Sequence, residues 1–226
     1  AAMEAAGLPT AKGSSEPISS ADVASELADE IGYPVIIKAA AGGGGIGMQI
    51  VHAANEFEGA LKLCQGRAKS AFGDDRVFVE KYIEGAQHVE FQVLADGEKA
   101  IHFGERFCSI QRRHQKLIEE GPWLSDEKRA EVGALVCAGA ESVGYKGLAT
   151  FEFLRDKNGD FYFLEVNPRV QVEHTVTELI TGYNLVELGV RVAQGESLPL
   201  TQDDVTIRGH AIQCRLNAED LSLIHI

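Results

Sequence analysis

Gly147-Leu-Ala-Thr-Phe-Glu-Phe-Leu-Arg-Asp-Lys-Asn-Gly-Asp-Phe-Tyr-Phe-Leu-Glu-Val-Asn-Pro-Arg-Val-Gln-Val-Glu-His174 reads as two strands folded back on each other, followed by the start of a helix. The runs flanking Asn158-Gly159 are rich in aromatic and β-branched residues, and Asn-Gly is the strongest short signal for a two-residue type I′ hairpin turn. Such a turn places Glu152 directly opposite Glu165, with Asn167 on the same side of the sheet. The other face then carries Phe151, Phe153, Tyr162, Leu164 and Val166, an apolar set suited to a core. Like charges facing each other across a ladder repel, so a cation is expected between the two carboxylates. Three hard oxygen ligands favour Mg²⁺ or Mn²⁺ over zinc. The competing reading is a pair of solvated strand glutamates, each meeting a lysine.

Outward from this hairpin, the composition bounds what the chain can be. With 226 residues of which 45% are apolar, it can bury a sizeable core as one large domain or two small ones. A net charge of −13 argues against a nucleic-acid partner, so any phosphate site must be local. No apolar run approaches the roughly 20 residues of a membrane span, and the alanine-rich start lacks the basic flank of a signal peptide. A soluble chain with no membrane partner is expected. Cys64, Cys108, Cys137 and Cys214 form no Cys-x-x-Cys pair, which points to buried reduced thiols rather than zinc or a disulfide framework.

In chain order, Ser20 caps a helix to about Ile31, ended by Gly32. A strand follows over Val35 to Lys38, then Ala39-Ala-Ala-Gly-Gly-Gly-Gly-Ile-Gly47 and a second strand, Met48 to Val51. The glycine run lets backbone N–H groups crowd around phosphate oxygens. It is not a P-loop, because Lys38 precedes it and a strand follows it. Strand, lysine, glycine hairpin and strand suggest a flap closing over a nucleotide. Further on come a helix from about Asn55 to Ala71, a strand from Val77 to Ile83, and a hairpin of Val89 to Leu94 with Lys99 to Gly104 across Asp96-Gly97. Gln111-Arg-Arg-His-Gln-Lys116 is the densest basic cluster of an acidic chain and fits an anion. Ser125 caps a helix to about Val143 with Val132, Leu135, Val136 and Gly139 inward. Two helical segments between Glu173 and Gly195 are separated by Gly182, and Val205 to Leu216 reads as a strand carrying Arg215. Strands and helices mix without a strict βαβ repeat, which favours an α+β fold with largely antiparallel sheets.

Lys38 with its glycine loop, Glu80-Lys-Tyr-Ile83, His88-Val-Glu90, Gln111-Arg-Arg-His-Gln-Lys116, Phe151-Glu-Phe153, Glu165-Val-Asn-Pro-Arg-Val-Gln-Val-Glu-His174 and Cys214-Arg-Leu-Asn-Ala-Glu-Asp220 occur in this order. Together they resemble the biotin carboxylase component of biotin-dependent carboxylases, within the ATP-grasp superfamily, from about Met3 to Asp220. The resemblance implies an ATP-grasp fold, with a flap subdomain over 1–82 and a metal and bicarbonate subdomain over 83–226. It implies that Lys38, Gly44 and Gly45 hold ATP phosphates and that Glu80, Lys81, Tyr82 and Ile83 read the adenine edge. His88, Gln111 and His114 would line the nucleotide pocket, while Glu152 and Glu165 would meet ATP through Mg²⁺ or Mn²⁺, held with Asn167. Glu173 resembles the base that deprotonates bicarbonate. Lys116, Arg169, Gln171 and Val172 resemble the bicarbonate cradle, and Arg215 the residue that stabilises the biotin enolate.

The reaction so implied is ATP-dependent carboxylation of biotin on a carrier protein, through carboxyphosphate, as part of an acyl-CoA or pyruvate carboxylase. The implied partners are a biotin carboxyl carrier, a carboxyltransferase and a second copy of the parent, in the cytoplasm or an organelle matrix. The alternatives are another ATP-grasp ligase of the carbamoyl-phosphate-forming type, or a nucleotide-binding fragment without turnover. Three departures from the family pattern stand out. An amino-terminal subdomain with a phosphate-binding lysine is not contained in the sequence, Ile46 replaces a frequently basic loop residue, and Leu221 to Ile226 does not look like family sequence. The chain is therefore expected to be a central segment that binds Mg·ATP weakly and does not turn over by itself.

Overall fold

A computed structural model describes residues 2–41, 47–112 and 115–216. These residues form two compact units, one of Pro9–Ala86 with Asp156–Tyr162, the other of Ala2–Leu8, Gln87–Arg155 and the chain from Phe163 onward.

In the first unit, strands β1 (Val35–Ala39), β2 (Met48–Val51) and β3 (Val77–Lys81) form an antiparallel sheet in the order β2-β1-β3. Val35, Ile37, Val77 and Val79 alternate inward and meet Ala24 and Ala28 of helix α2 (Ala21–Ile31) and Phe57, Leu61 and Cys64 of helix α3 (Ala54–Phe72). Ser20 caps α2 by accepting from the Val23 N–H, and Gly32 and Gly73 end the two helices at positive φ, where a Cβ would be strained. The loop Asp156–Asp160 also belongs to this unit. The Asp156 N–H donates to the Asp160 carbonyl at 2.9 Å and the Gly159 N–H to the Asp156 carbonyl at 3.1 Å, with Gly159 at φ 93°. This is a three-residue loop with glycine in the left-handed position, not the two-residue turn expected from Asn158-Gly159. Asp156 decides the difference, because its Oδ1 accepts from the N–H groups of both Asn158 and Asp160 and so stabilises the wider loop.

The second unit is a six-stranded sheet in the order β8-β7-β4-β5-β6-β9, with β4 Gln87–Asp96, β5 Ala100–Arg112, β6 Gln115–Gly121, β7 Lys146–Arg155, β8 Phe161–Asn167 and β9 Ala211–Cys214. A short helix α1 (Ala2–Ala5), α4 (Asp126–Ser142), α5 (His174–Thr181) and α6 (Leu185–Ala193) complete it. Every strand pair whose register is resolved is antiparallel. The chain turns between β4 and β5 over Gly97-Glu98, one residue later than expected, with Asp96 Oδ1 accepting from the Glu98 and Lys99 N–H groups. The expected strand Val205 to Leu216 shrinks to Ala211–Cys214, and a 3-10 turn over Gln202–Asp204 precedes it. Arg215 sits one residue past β9.

The sheet has two unlike faces. Phe91, Phe151 and Phe153 are buried on one of them, where Gly139 of α4 comes so close that an added Cβ would lie 3.4 Å from the Phe151 ring. The opposite face begins apolar, with Leu94 and Leu148 under Leu185, Leu188 and Val192 of α6, and turns polar under α5. Phe163 supplies the β8 side of the aromatic cluster, against Phe151 and Phe153, in place of the expected Tyr162, Leu164 and Val166. Cys64 and Cys108 are buried as expected, but Cys137 is half-buried and Cys214 exposed, and all four are free thiols. Among the described residues no helix is long and apolar enough to cross a membrane.

Two local predictions arise here. A Cβ on Gly133 would lie 2.2 Å from His102 Nε2, so α4 can pass this strand only with glycine. Gly133→Ala is expected to lose about 1–3 kcal/mol to overpacking, despite its better helix propensity, and urea denaturation reads this directly. Burial lowers the His102 pKa from its ordinary value to about 4, with Glu105 opposing and Arg129 reinforcing the shift. Because the unfolded imidazole then binds a proton more readily than the folded one, stability rises with pH between about 4 and 6.5 and falls as pH drops through that window. In His102→Gln the slope of unfolding free energy against pH should be shallower across this window than in the parent; equal slopes would refute the buried neutral imidazole.

Candidate functional site

The polar face of the second sheet carries a row of charges that the register sets. Glu90 on β4 lies directly opposite Glu152 on β7 and opposite Arg106 on β5. The two carboxylates are almost fully buried, at 0% and 4% exposure. Lys116, reaching in from β6, supplies the cation between them: its Nζ contacts Glu90 Oε2, lies 2.8 Å from Glu152 Oε1 and 2.9 Å from Glu173 Oε1. Burial alone would lower the lysine pKa, but Glu90, Glu152 and Glu173 outweigh it and raise it. Burial likewise pulls the Glu152 and Glu173 pKa values up; the His88 imidazole and the Lys116 charge beside Glu152, and Lys116 at Glu173, leave both below the usual carboxylate range. Arg106, fully buried, anchors the row, with Nε 2.6 Å from Glu90 Oε1 and Nη1 bonded to Gln92 Oε1 and to Thr177 Oγ1 of α5.

Glu173 occupies the position before the first turn of α5 and is 2% exposed. Lys116 holds one of its oxygens, and Arg215 Nη2 holds the other at 2.8 Å. A bulge makes this possible. Ile110 pairs with Ile118 and Gln111 with Lys116, so Leu117 is an extra residue in β6, and side chains that would alternate are re-aimed to the same site. The Leu117 carbonyl accepts the Arg215 N–H at 3.0 Å, which fixes where the arginine leaves β9. Arg215 also bonds Glu119 Oε1 through Nε at 2.8 Å.

The hairpin residues come together in a modified form. Asn167 Nδ2 lies 2.9 Å from Glu152 Oε1 and 3.4 Å from Glu165 Oε1, so both carboxylates reach one point. Phe163 faces the aromatic side while Glu165 and Asn167 face Glu152, so the alternation of β8 must slip once between Phe163 and Glu165. That slip compensates for the wider loop and brings the two carboxylates to the same side of the sheet. The donor set fits a hard divalent cation: two carboxylates converge on one amide, which turned over would offer its oxygen instead. Glu152 Oε1 is already shared among Lys116, Asn167 and Gln171 Nε2. Two other acidic groupings, His88 with Glu90 and Glu152, and Glu90 with Cys108 and Glu173, have the spacing of metal sites. The Lys116 ammonium fills both, against Glu90 and Glu152 in the first and Glu90 and Glu173 in the second, and burial keeps the Cys108 thiol protonated.

The remaining expected residues divide between the units. In the second, His88 Nε2 lies 2.8 Å from Glu152 Oε2 but out of line for a hydrogen bond, while His88 Nδ1 faces Gln111 Nε2 at 3.0 Å. Gln171 is buried, with Oε1 unpartnered among the described residues, and Val172 is exposed. Arg169 is exposed and bonds Asn167 Oδ1 and the Val170 carbonyl; no bond joins it to Lys116 or Glu173 among the described residues. In the first unit, Lys38 Nζ lies 2.5 Å from Glu80 Oε2, the Lys81 amine bonds the Gly32 and Tyr33 carbonyls, and the Tyr82 N–H donates to Pro34. Ile83 follows β3 and is half-buried. Gly44, Gly45, Ile46 and His114 lie outside the described residues.

Sequence reasoning missed Glu90, Arg106 and Glu119, all 0% exposed. For Glu90 a signal existed: His88 and Glu90 alternate with buried Val89 and Phe91, which places two ionisable groups on one strand face. Arg106 and Glu119 carry no such mark.

The sequence model described as "Carbamoyl-phosphate synthase L chain, ATP binding domain" matches residues 1–201. A pyruvate carboxylase subunit of Methanothermobacter thermautotrophicus is 53% identical over 221 residues, 96% of this chain and 45% of that protein. Biotin carboxylase of a Nostoc species is 51% identical over 96% of this chain and 49% of its own length. The chain thus spans about half the length of the curated relatives it matches. Among solved structures, the biotin carboxylase domain dimer of Hydrogenobacter thermophilus 2-oxoglutarate carboxylase, in complex with MgADP, ADP and bicarbonate, superposes with a TM-score of 0.92 at 46% identity, over 98% of this chain and 49% of that one. A Campylobacter jejuni biotin carboxylase–βγ-ATP complex does so with 0.92 at 47% identity, over 98% and 50%. The mixed helices and antiparallel sheets are those of an ATP-grasp fold, and the chain belongs to the carbamoyl-phosphate synthase L chain ATP-binding domain family, with biotin carboxylases as its matched relatives.

Proposed function

We propose that the chain is the part of a biotin-dependent carboxylase that uses ATP and bicarbonate to carboxylate biotin on a carrier protein. The observation that carries this reading is the buried Glu173 carboxylate held between Lys116 and Arg215. A base that must take a proton from bicarbonate needs to be ionised beforehand, and the lowered pKa of Glu173 meets that need. Bicarbonate then attacks the γ-phosphorus of ATP, ADP leaves, and the carboxyphosphate decomposes to CO₂ and phosphate beside the ureido nitrogen. Lys116, Arg169, Gln171 and the Val172 backbone would hold bicarbonate, and the unpartnered Gln171 Oε1 suits its hydroxyl. Lys38, Gly44 and Gly45 would hold phosphates, the segment Glu80 to Ile83 the adenine, and His88, Gln111 and His114 the rest of the nucleotide. Glu152, Glu165 and Asn167 would hold Mg²⁺ or Mn²⁺, which neutralises charge building on the transferred phosphoryl group. Arg215 would face the biotin ureido oxygen. A biotin carrier and a carboxyltransferase would complete the enzyme in the cytoplasm or an organelle matrix, and the dimer of the 2-oxoglutarate carboxylase domain favours a homo-oligomeric parent.

The test is ADP release by the full-length protein with bicarbonate, with and without free biotin. Release that needs bicarbonate and rises with biotin is expected. Release stimulated by ammonia instead would favour a carbamoyl-phosphate-forming ligase, and nucleotide binding without release would leave only a binding module.

A further inference from the structure

Glu119 is a carboxylate that neither its strand nor the core requires. It lies on β6 at 0% exposure, one oxygen takes both the Nε and Nη2 contacts of Arg215 at 2.8 Å, and the other, Oε2, has no hydrogen-bond partner among the described residues. An ion pair built for stability would meet the guanidinium fork with both oxygens. Here the fork is divided instead: Nη2 reaches Glu119 Oε1 and Glu173 Oε2 together. Burial raises the Glu119 pKa, and the nearby charges of Glu173 and Glu90 add to this against the pull of Arg215. Leaving a buried charge half-satisfied costs stability, and such cost is tolerated where it holds something in place. The Arg215 side chain is 26% exposed, whereas those of Glu119 and Glu173 are at most 2%. Two buried carboxylates therefore grip the Nε and Nη2 edge of a partly exposed Arg215.

We propose that Glu119 is a positioning residue that holds Arg215 in place for the biotin ureido group. This rests on the reading of Arg215 as the group that faces biotin. Glu173 exchanges a proton during the cycle, so its hold on Arg215 weakens whenever it is protonated. Glu119 takes no part in that exchange and keeps the guanidinium from swinging away, through a contact close to the Leu117 bulge that already tethers the Arg215 backbone.

The experiment is steady-state kinetics of the full-length protein with free biotin, for the parent, Glu119→Gln, Arg215→Lys and the double variant, with melting temperatures recorded for each. Glu119→Gln keeps shape and one acceptor oxygen but removes the charge. It should raise KM for biotin about tenfold with KM for ATP within about twofold, and the double variant should be no worse than Arg215→Lys alone. Glu119→Asp, which keeps the charge but withdraws it, should show a smaller rise and provides the comparison if Glu119→Gln does not fold. An unchanged KM for biotin in Glu119→Gln, equal rises in KM for ATP and biotin with a lowered melting temperature, or additive effects in the double variant would each overturn the proposal. If Arg215→Lys alone leaves the biotin kinetics untouched, the reading of Arg215 fails and the role of Glu119 falls with it. A crippled Arg215→Lys beside a silent Glu119→Gln sinks only the role of Glu119.

Discussion

Lys116→Met is expected to remove about 3–5 kcal/mol of folding stability and to abolish bicarbonate-dependent ATP cleavage. The physical cause is the lysine's position among three carboxylates, Glu90, Glu152 and Glu173, none more than 4% exposed. Arg106 remains on Glu90 and Arg215 on Glu173, but Glu152 keeps only neutral donors and His88. Methionine matches the lysine stem, so packing survives and the loss reports the charge. The pH dependence separates this from a packing defect. In the parent, Glu152 and Glu173 have depressed pKa values, so their contribution is full above the ordinary carboxylate range and is lost as pH falls through the folded values. In the variant the carboxylates protonate readily, so the stability gap between variant and parent should narrow as pH falls from 7 toward 4. Urea midpoints across that range read the gap, and one that does not change with pH would contradict the cluster as described.

Glu173→Gln is expected to behave in the opposite way, with a large loss of activity at little structural cost. The glutamine removes the carboxylate proposed to accept the bicarbonate proton, and general-base catalysis contributes typically 10²–10⁴-fold, which sets the expected fall in turnover. Stability should change by no more than about 1 kcal/mol, because Lys116 keeps Glu90 and Glu152 and Arg215 keeps Glu119. Calorimetric titration with Mg·ATP should be nearly unchanged, since among the described residues Glu173 pairs with Lys116 and Arg215, neither of which is expected to hold nucleotide or metal. A variant that cleaves ATP at the parent's bicarbonate-dependent rate would remove Glu173 from the base position. Loss of nucleotide affinity equal to the loss of rate would mark it as structural.

The sequence by itself determined the elements and the company of site residues. Ser20 and Ser125 as caps, Gly32, Gly73 and Gly182 as terminators, and the alternation of Val35, Ile37, Val77 and Val79 act within a few residues, and local chemistry of that range survives folding unchanged. The motif strings likewise contain Lys116, Glu152, Glu173 and Arg215, whose side chains the fold links through ion pairs. What tertiary structure alone decided is register. The Asp156 side chain widened a turn by one residue, β8 slipped to restore the meeting of Glu152 and Glu165, and Leu117 bulged to turn Lys116 and Glu119 toward one site. A one-residue slip moves a side chain to the other face of a sheet, so each of these steps changes which charges meet. The same principle, a cation between facing carboxylates, also operates one strand over, where Glu90 lies opposite Glu152 and Lys116 meets both. Those three residues come from separate strands of one sheet, and strand pairing over such distances is set by bulges and by the packing of α5 through Arg106 and Thr177, which no local pattern encodes.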